Sequence, residues 1–159
     1  MASGFTTHFA TLNAESTSGS AEQNGARKKE NNMIREWIAI GLGGMAGAVA
    51  RHGLTQLFSL IGPAWLPIAT LTVNVGGCFA IGALAQWSLQ QELPKEWWVV
   101  GLRVGLLGGL TTFSTFGLDI VRLWNENQRS ASTGLLLGHL VLGVTAVAAG
   151  LMVAKQPAE

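Results

Sequence analysis

The chain has 159 residues, 48% hydrophobic and only 12% charged, with 21 glycines and a formal net charge of +1. A soluble domain carries about 25% charged residues; here two stretches, His52 to Gln91 and Ser130 to Ala154, hold no Asp, Glu, Lys or Arg at all. A chain this short has no core large enough to hide them, so the composition excludes an ordinary soluble fold and points to one all-α domain in a bilayer, where a spanning helix needs about 20 mostly apolar residues.

Residues 1–32 differ from the rest. They are rich in Ser, Thr, Asn, Ala and Glu, have no sustained apolar period, and lack the apolar centre of a secretory signal. They are expected to be a disordered extension, leaving 33–159 as the membrane domain, and Met33 is an expected natural start. The first span is predicted from Ile34 to Phe58, with Arg51 two-thirds of the way along. Its Gly43-Gly44-Met-Ala-Gly47-Ala48 segment offers a small surface on which membrane helices approach closely. Gly62, Pro63 and Pro67 punctuate a turn. The second span, Leu66 to Leu89, carries Asn74 and Gly76-Gly77 near its middle. A polar loop, Gln90 to Glu96, then leads to Trp97-Trp98, which suit the membrane interface.

The third segment, Trp98 to Trp124, is unusual. Arg103 and Asp119 bound fifteen uncharged residues that include four glycines and four hydroxyls. Each Gly costs about 1 kcal/mol relative to Ala in a helix, and Ser and Thr hydroxyls compete for backbone partners. A polar break in the helix is therefore expected from Gly108 to Phe116, with Asp119 near a span end and facing water. Lipid cannot satisfy freed backbone groups, so such a break must lie inside protein or along a watered path, where unwound carbonyls can coordinate a cation. The plainer alternative is a small-residue packing face whose hydroxyls bond back to their own helix. Phe113 and Phe116, three apart, share a face. They either pack against lipid and protein or turn their weakly positive ring edges toward an anion. Asn74 is either interhelical glue or a donor to an anion, and Arg51 either snorkels to the interface or forms part of an entry vestibule. The fourth span, Thr133 to Ala154, is plain apart from His139.

With four spans, the N-terminus, second loop and C-terminus share one side of the membrane. Without the extension that side holds Arg35, Lys95, Lys155 and, at the margin, Arg103, against Arg51, Arg122 and Arg129 opposite. So small a bias gives weak orientation preference and permits an antiparallel, dual-topology dimer.

Three motifs resemble the signatures of the CrcB/Fluc fluoride channels: Gly43-Gly-Met-Ala-Gly-Ala-Val-Ala-Arg51 in the first span, Thr72-Val-Asn-Val-Gly76 in the second, and Gly108-Gly-Leu-Thr-Thr-Phe-Ser-Thr-Phe116 in the third. The resemblance implies a multi-pass protein of the bacterial inner membrane that exports fluoride passively as an antiparallel homodimer with two pores. It implies that Asn74, Phe113 and Phe116 line the fluoride path, with the hydroxyls of Ser114 and Thr115 beside it and Arg51 at its entrance. It further implies that the backbone carbonyls of Gly108 and Thr111, from both subunits, hold a structural sodium ion at the dimer centre. The chain departs from the family where Gly117 and Asp119 stand in place of Ser and Glu, and where Leu135 and His139 align with an Asn and a Ser of the fourth span. His139 is therefore either a packed histidine bonded to a carbonyl or an altered member of the polar track.

Rival readings are weaker. A small proton-coupled multidrug exporter needs a carboxylate deep in the first span, whereas Glu36 lies at its start and Arg51 is its only interior charge. A non-transporting assembly subunit would use the same polar residues only as glue. No nucleophile–base pair or metal-ligand cluster suggests an enzyme. No basic patch beyond Arg27–Lys29 suggests nucleic acid, and the lone Cys78 permits no disulfide within the chain.

Overall fold

The computed structural model describes residues 3–93 and 95–155, with side chains at 23, 25, 27–93 and 95–155. The described residues form helices joined by short turns: α1 (Ser3–Ser59), a 3-10 turn (Pro63–Trp65), α2 (Leu66–Gln90), α3 (Trp97–Val100), a π-helical segment (Gly101–Leu107), α4 (Gly108–Leu110), α5 (Phe113–Asn125) and α6 (Arg129–Val153). Among them, four stretches are long and apolar enough to cross a membrane: Arg27–Ser59, Pro63–Gln90, Trp97–Asn125 and Arg129–Val153. The chain divides into two units, Met1–Arg35 and Glu36–Glu159, and the packing that builds the site lies within the second.

Element boundaries follow local chemistry. Gly62 takes φ 142° between α1 and the 3-10 turn, a conformation that a side chain would resist. Pro63 follows it, and α2 then starts at Leu66, where the sequence places the second span. α6 starts at Arg129 rather than Thr133, because hydropathy marks where apolar residues begin and not where the helix does. Its polar first turn is held in place: Ser132 Oγ donates to the Ile120 carbonyl at 2.9 Å, and the Arg129 guanidinium lies 5.2 Å from the Trp124 ring centroid. The helical backbone of α1 likewise runs past the boundary expected at residue 32, back to Ser3. Residues 1–32 contain no proline, so nothing in them forbids extending a helix that the first span has already nucleated.

The second unit is assembled by backbone contact through glycine rather than by a large side-chain core. α1 lies against the third span so closely that a Cβ on Gly43 would stand 2.6 Å from the Gly101 carbonyl oxygen, and one on Gly105 would stand 2.7 Å from the Ile40 oxygen. Gly47 is tighter still: its Cβ would meet the Leu106 carbonyl oxygen and stand 2.7 Å from the Leu110 amide. α2 and α6 touch in the same way, a Cβ on Gly150 falling on the Phe79 carbonyl and 2.8 Å from the Ala83 amide. This is the packing a bilayer favours, since lipid tails are as apolar as leucine and give helices no hydrophobic reason to associate. Among the described residues the buried apolar ones are few: Ala69, Val73, Val99, Leu107, Phe116 and Leu135. Large apolar side chains such as Trp37, Val144 and Met152 stay exposed along the spans, which water would penalise and lipid accepts.

Gly47→Ala should therefore destabilise the protein by about 1–3 kcal/mol through forced separation of two backbones. Gly53→Ala, on the same helix with nothing within 4 Å, should be neutral or stabilise it by up to about 1 kcal/mol. Thermal unfolding in detergent gives both signs, and equal effects from the two would show that close approach at Gly47 does not limit the fold.

Candidate functional site

The third span changes its winding twice before its middle. After α3 it widens into the π-helical segment, returns to a single α turn at Gly108–Leu110, and then leaves the helical region at two residues. Thr111 (φ −80°, ψ 154°) and Thr112 (φ −149°, ψ 119°) are extended, and α5 restarts at Phe113.

What these two residues do with their hydrogen bonds defines the site. In an uninterrupted helix the Thr112 N–H would donate to the Gly108 carbonyl. It donates instead to Asn74 Oδ1 at 2.8 Å, while Asn74 Nδ2 donates to the Thr112 carbonyl at 2.9 Å. One side-chain amide thus satisfies both polar groups of an extended residue, as a neighbouring β-strand would. Three residues on, the Thr115 N–H would reach the Thr111 carbonyl in a continuous helix, but it donates to Thr112 Oγ1 at 3.2 Å, capping α5. Thr112 Oγ1 in turn donates to Thr115 Oγ1 at 3.1 Å and lies 3.2 Å from Ser114 Oγ. Gly108 and Thr111 consequently each present a carbonyl whose helical donor has been diverted to a side chain. Thr111 keeps its own amide and hydroxyl on the Leu107 carbonyl, at 3.0 and 2.9 Å.

Of the residues singled out from sequence, Asn74, Gly108, Thr111, Phe113 and Phe116 line one cavity of about 360 Å³, which His139 and Arg103 also line. Phe113 and Phe116 pack edge to face, 5.4 Å between centroids at 61°. Phe116 is 6% exposed and Phe113 is 83% exposed. Arg51 and Thr115 line a second cavity of about 280 Å³ with His52, Thr55 and Thr70. Thr112 borders both cavities, so the extended backbone is the partition between them. Ser114 is exposed and reaches the group only through Thr112. Arg51 Nε is buried and, among the described residues, has no hydrogen-bond partner.

Two expectations change. Asp119 does not face water: it is 8% exposed and accepts a 3.0 Å hydrogen bond from Thr70 Oγ1. Its position in α5 turns it inward onto α2, where a neighbouring hydroxyl meets it. Asn74, left open between glue and donor, is committed to the Thr112 backbone by two hydrogen bonds, with one amide hydrogen beyond them. The sequence reading places Thr112 only in the stretch whose unwound carbonyls could meet a cation, and gives its side chain no capping role, although Thr is among the residues preferred at a helix N-cap. Among the described residues no group of three or more His, Cys, Asp or Glu is placed to hold a metal.

Comparison with known proteins adds the following. A family described as "CrcB-like protein, Camphor Resistance (CrcB)" matches residues 38–151, a segment that contains every residue lining the two cavities. The fluoride-specific ion channel FluC of Paracoccus denitrificans is 38% identical over 123 residues, covering 77% of this chain and 97% of that protein. The protein of the same name from Solibacter usitatus is 41% identical over 123 residues, covering 76% of this chain and 99% of its own. That of Caulobacter vibrioides is 36% identical over 125 residues, covering 77% and 98%.

Asn74→Ala removes both hydrogen bonds to Thr112 and leaves its amide and carbonyl without partners. It should destabilise the protein by about 1–3 kcal/mol and sharply raise the hydrogen-exchange rate of the Thr112 amide. Unchanged exchange at that amide would mean that the extended residue is held by something else.

Proposed function

The chain belongs to the CrcB family, and from that membership we propose that it is a fluoride channel, conducting fluoride passively across a bacterial membrane and lowering its cytoplasmic concentration. The observation that carries the reading is the family match over 38–151, because that segment holds the interrupted helix, both cavities and the residues that border them.

The chemistry of the lining supports it. Fluoride is small and strongly hydrated, so a selective path must replace its water with several compact, weak donors and still let the ion leave. Phe116 and Phe113 supply ring edges of partial positive charge. The remaining Asn74 amide hydrogen and the hydroxyls of Thr115 and Ser114 supply neutral donors. Arg51, with its buried Nε on the second cavity, supplies positive potential at the approach without standing between the phenylalanines. Thr112 is the wall the two compartments share, so an ion passing from the Arg51 side to the phenylalanine side passes its hydroxyl.

The channel works as an antiparallel homodimer, with residues 33–159 as the channel domain. Phe113, bare on one chain while its ring-stacked neighbour is buried, is the kind of surface a second copy covers. The carbonyls of Gly108 and Thr111, freed from their helical donors, are hard oxygen ligands of the type sodium takes. Two from each subunit would hold a sodium ion where the helix interruptions meet. The bound cation would join the subunits and add favourable potential for an anion.

Purified protein in liposomes should release fluoride, followed by electrode, and not chloride; absence of fluoride release from well-folded protein would refute the channel. Phe116→Ile should lower that release about tenfold or more, the factor that 1.4 kcal/mol represents, with assembly intact; unchanged flux would remove its role. Exchanging sodium for a bulky organic cation should lower the dimer's thermal midpoint, and indifference to sodium would exclude the Gly108/Thr111 site.

A further inference from the structure

We propose that Arg27, Lys28 and Lys29 fix the orientation in which this chain enters the membrane, with both termini toward the cytoplasm, and so decide which copies can pair. The pairing step rests on the antiparallel dimer proposed above. The orientation does not, since it needs only the four spans.

The three residues are helical and exposed in α1, just ahead of the apolar run that opens at Met33. At 1.5 Å per residue, Lys29 lies about 6 Å and Arg27 about 9 Å along the helix from Met33, comparable with the Debye length of about 8 Å at physiological salt. Their charge is therefore felt at the membrane surface, where an anionic cytoplasmic leaflet attracts it and the hydrocarbon opposes its passage. Lys and Arg set orientation when they lie on a short flank within about 15–20 residues of a span end, and the first span usually dominates. Both conditions hold here. Residues 1–26 carry no further Lys or Arg to blur the signal.

The count then becomes one-sided. Without the three charges, Arg35, Lys95 and Lys155 on the N-terminal side face Arg51, Arg122 and Arg129 on the other. With them the sides hold six and three. Arg103, half-buried in the π-helical segment, stands at the margin of the larger side. Glu15, Glu22 and Glu30 bring the side-chain charge of residues 1–32 to zero, but orientation follows Lys and Arg rather than net charge. Two copies that carry the three charges therefore insert the same way and lie parallel. An antiparallel dimer needs one copy inserted the other way round. A copy begun at Met33 lacks all three charges and is free to insert so; the extension is an orientation lock on how the chain pairs with itself.

The test is labelling of intact bacterial cells with a membrane-impermeant maleimide. It uses the full chain with Gln91→Cys in the second loop or Gln128→Cys before α6, and the unsubstituted chain to subtract any signal from Cys78. Gln128→Cys should label at least about tenfold more than Gln91→Cys, within what three charges supply at an anionic leaflet. Neutralising the extension with Arg27→Gln, Lys28→Gln and Lys29→Gln should bring the two labels within about twofold of each other. Keeping the extension and adding Gln56→Lys, Ser59→Lys and Ser130→Lys, exposed positions on the opposite side, should do the same. Equal labelling in the full chain, or a single orientation that persists in both altered chains, overturns the proposal. Should the neutralised chain fail to insert, the charge-balanced chain decides by the same criterion. Fluoride release from native membrane vesicles, at matched protein, separates orientation from assembly. A tenfold excess of one orientation leaves about a fifth of the copies able to pair, so the full chain alone should release fluoride about fivefold more slowly than the neutralised chain. Equal release from a singly oriented chain would overturn the pairing step, and no release from any chain would overturn the channel reading and leave the orientation to the labels.

Discussion

The pair of hydrogen bonds between Asn74 and the Thr112 backbone is the constraint on which the rest of the site depends. An extended residue in the middle of a membrane span has an amide and a carbonyl that lipid cannot satisfy. Here one side chain on α2 satisfies both, at 2.8 and 2.9 Å. Asn is suited to this because its amide presents a donor and an acceptor side by side, at the spacing of a peptide unit; a carboxylate lacks the donor, and a hydroxyl cannot span both groups. Once Thr112 is held out of the helix, its own hydroxyl is free to cap α5. That capping moves the Thr115 amide away from the Thr111 carbonyl, just as the Asn74 bond moves the Thr112 amide away from Gly108. The carbonyls proposed to meet a cation and the partition proposed to guide an anion thus have one cause.

Such a break would be unstable in a span free to slide. Here the third span is held against α1 by backbone contact at Gly43, Gly47, Gly101 and Gly105, on the side where the helix widens into π geometry. π turns in α-helices concentrate at functional sites, and this one ends one residue before Gly108. The glycines thus have two physical roles in the same segment. Those facing α1 permit close approach, whereas Gly108 faces open space, with nothing within 4 Å of its Cβ position.

Four spans were legible because hydropathy over twenty residues is a strong signal in a chain with so few charges. The helix of the second span, Leu66–Gln90, and the third span, Trp97–Asn125, begin and end within about a residue of where the apolar pattern puts them. An interruption of the third span was legible in composition, since glycine and hydroxyls concentrate there, although extended backbone occupies only Thr111 and Thr112 rather than all of Gly108 to Phe116. Its mechanism was not, because the residue that holds it open lies thirty-eight positions upstream and nothing local in Thr72–Gly76 indicates its partner. Asp119 misled for a related reason. Charge at the end of an apolar run reads as a solvent boundary, but α5 continues past it to Asn125, so Asp119 is two turns inside the helix and meets Thr70. The capping role of Thr112 was overlooked because a cap in mid-span has meaning only once the span is known to restart.

A path for fluoride must bind the ion well enough to strip its water and loosely enough to release it. A lining of fixed cations would meet the first demand and fail the second, since each unit charge in a poorly solvated site interacts strongly even at an effective dielectric of about 20. The groups on the phenylalanine side are mostly neutral, and the cations, Arg51 and Arg103, are separated by the Thr112 partition.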